Sequence, residues 1–125
     1  MLFKNLVANK ESVTDDFVAI LKKPSGLANS SHDLGVWLRA IFSPDPTARS
    51  LDRESYRSLK LPVALIWGEL DEVTPLAEGR DIQSLIVGAS LKAIPRAGHV
   101  PQVEFPAAFE TLLIASLAAQ RAAAQ

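Results

Sequence analysis

The sequence predicts an α/β chain in which a helical segment precedes a β-α-β-α unit with parallel strands. Three observations carry that expectation. Pro62-Val63-Ala64-Leu65-Ile66-Trp67 is an unbroken apolar run of strand length closed by Gly68, the pattern of a strand buried on both faces. Residues 76–86 then repeat apolar side chains at helical spacing, and Ser90 and Lys92 alternate with Ala89, Leu91 and Ala93 as in a strand with one wetter side. Strand, helix, strand in that order is a right-handed parallel crossover.

Before Lys60 the chain reads as helices separated by turns. Thr14 suits an N-cap, Asp15 and Asp16 suit the positive end of a helix, and Phe17, Ile20 and Leu21 recur on one side until Pro24-Ser25-Gly26. A second helix is expected from near Ser31, with Leu34, Trp37, Leu38 and Ile41 as its apolar side and Ser43-Pro44-Asp45-Pro46 as its stop. Those side chains read as core. A short third helix starts after Asp52. Beyond the strand at 62–67, Thr74 is expected to cap a helix with Pro75 at its first position. Phe105-Pro106 opens the last helix, which carries Phe109, Leu112, Leu113, Ser116 and Leu117 on one side; the Ala and Gln tail from Ala118 is expected to fray.

A chain of 125 residues is about one domain. Its 13 Lys and Arg are scattered and its formal net charge is −1, so the field that attracts a phosphate backbone is absent and nucleic acid is not an expected partner. With no cysteine and two widely separated histidines, neither a disulfide nor a metal site is expected. No run approaches the ~20 apolar residues that span a bilayer, and the first ten residues lack the ~7–15 apolar residues of a signal core. The expectation is a cytoplasmic protein without a membrane partner.

The chemistry-bearing residues are Asp71 and His99. Functional groups in open parallel sheets gather beyond the carboxyl ends of the strands. Asp71 lies four residues past Trp67 and His99 five past Ile94, so neighbouring parallel strands would deliver both to one rim. A carboxylate that accepts the Nδ1 proton of an imidazole fixes its tautomer and leaves Nε2 to take a proton from a nucleophile. The competing readings are an Asp71 that caps the helix after Pro75 and a loop His99 satisfied by backbone. Glu69 and Glu72 stand as rim residues or substitute acids, Glu104 as a residue that favours the last helix's N-terminus, and His32 as a solvent-facing histidine.

Leu61-Pro62-Val63-Ala64-Leu65-Ile66-Trp67-Gly68-Glu69-Leu70-Asp71-Glu72-Val73-Thr74-Pro75, followed by Ala97-Gly98-His99-Val100-Pro101-Gln102-Val103-Glu104-Phe105-Pro106, resembles the C-terminal part of the α/β-hydrolase superfamily. The resemblance covers residues 58–117, which it implies are a β-α-β-α part of the hydrolase core. Residues 1–57 resemble, less specifically, a helical cap segment, which implies the lining of an acyl pocket as the alternative for Trp37 and its helical companions, and 118–125 form a low-complexity tail. In that family the acid follows the seventh strand and the base follows the eighth in a Gly-His pair, which implies Asp71 as the acid and His99 as the base. No cofactor is implied. The reaction implied is hydrolysis through a covalent intermediate, most often of a small-molecule carboxylic ester.

No Gly-x-Ser-x-Gly occurs in the 125 residues, and this is the turn that presents a nucleophilic serine in such hydrolases. Loss of a triad nucleophile costs about six orders of magnitude in turnover, and loss of an oxyanion donor costs a further ~2.7–4 kcal/mol. The chain by itself is therefore expected to be nearly inert. It is read as a truncated product or as one that completes its site with a separately encoded N-terminal part. The other expectation is a non-catalytic module that dimerises through exposed strand edges.

Overall fold

Two short parallel strands form the centre of the computed structural model, which describes residues 6–43, 45–49 and 51–123. Strand β1 (Ala64–Gly68) pairs with β2 (Ser90–Ile94), Ala64 opposite Ser90 through Gly68 opposite Ile94. Helix α4 (Leu76–Leu85) makes the crossover between them, as the change from continuous to 3.6-residue apolar spacing requires. Gly88, at φ 77°, makes the turn back into β2, a conformation that suits a residue without a Cβ. Among the described residues the sheet has two strands, and the edge of β1 away from β2 has no strand beside it.

Before the sheet come α1 (Asp15–Lys22), α2 (Ser30–Phe42) and α3 (Arg53–Arg57). The Thr14 hydroxyl accepts from the Phe17 N–H and caps α1, and the Asp52 carboxylate accepts from the Glu54 and Ser55 N–H groups and caps α3. Both caps answer the open donors of a first helical turn. The start of α2 differs from expectation: Asn29 takes the left-handed conformation at φ 65° without a side-chain cap, and the helix begins at Ser30. Asn tolerates that region better than most residues. Pro44, within the expected stop signal, lies outside the described residues, as do Met1 to Asn5 at the N-terminus.

The expected burial of α2 does not hold. Trp37 is 59% exposed and Phe42 82%, with Leu34 and Ile41 also half exposed or more. The helix is amphipathic, but nothing among the described residues covers its apolar side, so these side chains are not part of the core. Helix α3 does reach the sheet layer, where Arg53 forms two hydrogen bonds to Asp81 of α4 at 2.6 and 2.9 Å.

After β2 the chain forms the four-residue α5 (Pro101–Glu104) and the long α6 (Pro106–Ala123). The short helix was not foreseen. Helix α6 packs on both strands and runs through most of the Ala-rich tail, whose Ala, Gln and Arg are strong helix formers; residues 124 and 125 lie outside the description. The buried apolar residues Leu85, Ile86, Ile94 and Ala97 lie around the sheet, and Val7 joins them from the N-terminal segment. Among the described residues no helix is long and apolar enough to cross a membrane.

Candidate active site

Strand β1 ends at Gly68 because the next chain segment must pass beneath the loop that follows β2. A Cβ on Gly68 would overlap the Gly98 carbonyl oxygen and stand 2.6 Å from that of Ala97. Two backbone hydrogen bonds hold the loops together: Glu69 N–H donates to the Ile94 carbonyl at 3.0 Å, and Leu70 N–H to that of Ala97 at 2.8 Å. These bonds stitch the two loops into one rim beyond the strand ends. Arg96, at φ 63°, turns the second loop, its N–H on the Glu69 carboxylate at 3.3 Å and its guanidinium over the Phe105 ring.

Asp71 and His99 meet on this rim, with His99 Nδ1 3.0 Å from Asp71 Oδ2. The acid is interior and the base is reachable: their side chains are 5% and 34% exposed. Asp71 divides its two oxygens between two tasks. Oδ1 accepts from the Val73 and Thr74 N–H groups, each at 2.9 Å, which fixes the turn. Oδ2 accepts from the Thr74 hydroxyl at 2.8 Å and faces the imidazole. Four donors thus occupy the carboxylate's acceptor positions.

Burial acts to raise the Asp71 carboxyl. The hydrogen bonds from Thr74 N–H, the His99 ring, the Thr74 hydroxyl and Val73 N–H together outweigh it and hold the group below the usual carboxylate range. An ionised carboxylate only accepts, so the proton between the pair belongs to Nδ1. The Thr74 oxygen, 3.3 Å from Nδ1, lies on the same side of the ring. Among the described residues Nε2 has no hydrogen-bond partner, and it is the nitrogen such a pair leaves basic.

Neighbouring residues fix this geometry. Trp67 donates its indole N–H to the Thr74 carbonyl at 2.8 Å, and a Cβ on Gly79 would stand 3.0 Å from the indole ring, so α4 rests directly on it. Thr74 does not cap α4 as expected. Its hydroxyl is committed to Asp71, Pro75 occupies the position before the helix, and the first helical residue is Leu76. A space of about 220 Å³ bordered by Trp67, Asp71, Thr74, His99, Gln102 and Phe109 opens beside the pair. A second, of about 310 Å³, has His99, Leu6, Val7, Lys10, Leu70 and Glu72 on its walls.

Of the other candidates, Glu69 binds the Arg96 backbone and Glu72 is an exposed wall residue; neither takes the place of Asp71. His32 is exposed on α2 beside Asp33. Glu104 departs from expectation: it is the last residue of α5, its carboxylate is buried, and it accepts backbone N–H groups from elsewhere in the chain. Among the described residues no group of three or more His, Cys, Asp or Glu stands together as a metal site would need.

A scan against family models gives no match, and neither does a search of curated proteins. Solved structures do match. A serine hydrolase involved in carbazole degradation, the CarC enzyme, superposes with a TM-score of 0.73 at 22% identity over 94% of this chain. The chain shares the fold of that enzyme over the matched part. A meta-cleavage product hydrolase, CumD, agrees with a TM-score of 0.70 at 23% identity over 93% of the chain. The chain spans 45% and 43% of the length of those two structures. The expected β-α-β-α unit with parallel strands is thus present, and its two strands carry Asp71 and His99 beyond their carboxyl ends.

Proposed function

We propose that the chain supplies the acid and base of a serine-type α/β-hydrolase triad, Asp71 orienting His99 and His99 acting as general base through Nε2. The observation that carries this reading is the 3.0 Å approach of His99 Nδ1 to a buried, ionised Asp71. In such a pair the imidazole takes the nucleophile's proton, the nucleophile attacks the acyl carbon, and the imidazolium returns the proton to the leaving group. The nucleophile and the oxyanion donors come from outside these 125 residues, in a longer chain or a separate N-terminal part. The substrate class is a small carboxylic ester. The CumD neighbour adds a meta-cleavage product as a second class to assay. A cytoplasmic location belongs to the same proposal and is tested by cell fractionation.

The test uses the protein completed by its upstream coding sequence, with a Gly-x-Ser-x-Gly sought there. With a chromogenic short-chain ester, Asp71→Asn is expected to lower kcat about 10⁴-fold and His99→Ala about 10⁶-fold. Full turnover in either variant overturns the reading. A second reading, association without catalysis, draws on the unpaired outer edge of β1 and the uncovered apolar side of α2. It expects the 125-residue chain to elute as a dimer and to hydrolyse neither substrate.

A further inference from the structure

We infer that Glu104 is a positioning residue for His99, its buried carboxylate tying the histidine's loop to the N-terminal segment. The inference rests on the reading of Asp71 and His99 as an acid–base pair.

Glu104 is 5% exposed. Oε1 accepts from the Gly98 N–H at 2.8 Å, and Oε2 accepts from the Ala8 and Asn9 N–H groups, both at 2.8 Å. Three backbone donors from two distant segments therefore converge on one side chain. The second segment returns the contact, since Leu6 offers its carbonyl to the His99 N–H at 3.0 Å. Gly98 is fitted to this arrangement: a Cβ there would stand 2.6 Å from the Ala8 nitrogen and 3.0 Å from Glu104 Oε1. From the other side the Ala97 carbonyl is held by Leu70 N–H at 2.8 Å. Residues 97–99 are thus gripped by the Asp71 loop on one side and by a strap closed through Glu104 on the other.

A carboxylate suits the place because it accepts at both oxygens, and hydrogen bonds to a charged acceptor are stronger than neutral ones. A glutamine would turn one N–H₂ toward backbone donors. Among the described residues Glu104 makes no hydrogen bond to the imidazole or to Asp71, so it acts through the backbone of Gly98 and the rotational freedom left to His99.

The experiment is NMR on the 125-residue chain above the histidine's titration, reading amide exchange and the imidazole ¹⁵N shifts of His99. Glu104→Gln is expected to speed exchange about tenfold at Ala8, Asn9 and Gly98, to leave the β1–β2 amides protected, and to shift His99 away from the Nδ1–H tautomer. Glu104→Asp, which keeps the charge, is expected to restore part of both. If the strap amides open in Glu104→Gln while His99 keeps its tautomer, or if those amides do not change, the inference fails. Should the glutamine variant lose the β1–β2 protection as well, the same two readouts on Glu104→Asp decide. Asp71→Asn separates this from the reading beneath it: an unchanged tautomer there refutes the acid–base pair, whereas a shift there with none in Glu104→Gln refutes the role of Glu104 alone.

Discussion

Gly68 and Gly98 approach so closely that a methyl group on Gly68 would stand 1.9 Å from the Gly98 carbonyl oxygen. The contact lies between the last residue of β1 and the residue before His99, so strain there acts on the strand ends and the site together. Gly68→Ala is expected to lose about 1–3 kcal/mol in chemical denaturation, the range of overpacking, and to disperse the His99 resonances. Gly79→Ala, which meets the face of an indole ring instead of backbone, should cost less.

The depressed Asp71 carboxyl makes stability depend on pH in one direction. A carboxyl whose folded value lies below its unfolded value contributes stability above the unfolded value, and that contribution is lost as pH falls through the folded one. The unfolding free energy of the parent should therefore drop below a pH of about 4. Asp71→Asn should be less stable at neutral pH and should lack this part of the decline. Urea melts of both proteins from neutral to acid pH measure the difference.

Thr74 holds Asp71 Oδ2 through its hydroxyl. Thr74→Val removes a hydrogen bond to a charged group, worth about 1.5–3 kcal/mol, and should let the Asp71 carboxyl rise toward its ordinary value. Thr74→Ser should keep both stability and titration near those of the parent. Carbon-detected titration of Asp71 in the three proteins tests the assignment, and equal values in all of them would refute it.

Trp67→Phe deletes the indole donor to the Thr74 carbonyl while keeping an aromatic ring beneath α4. A loss of about 0.5–1.5 kcal/mol is expected, with faster amide exchange concentrated at residues 71–76. A uniform increase across β2 and α6 would argue that Trp67 contributes packing and nothing to the turn.

How far the sequence revealed this site depends on the distance over which each group finds its partners. Asp71 and His99 were legible because a parallel pair places both strand tips on one rim, and the apolar run that names β1 is local. Thr74 carried a partial signal, a hydroxyl three residues after an aspartate. Its position before Pro75 points equally to a helix cap, and the tertiary arrangement chose the carboxylate. Glu104 carried none, since its partners Ala8 and Asn9 lie 96 and 95 residues away and nothing in its own surroundings distinguishes a buried acceptor from a helix-end charge. Trp37 shows the converse, because amphipathic spacing reports that a helix has an apolar side without saying whether this chain covers it.

Because Glu104 closes on amides almost a hundred positions earlier, the order of synthesis bears on when the histidine's loop is secured. The bonds from the Ala8 and Asn9 amides cannot form before residue 104 has been made. Closing so long a loop is entropically costly, a cost that the Glu104 carboxylate meets with three hydrogen bonds to backbone donors.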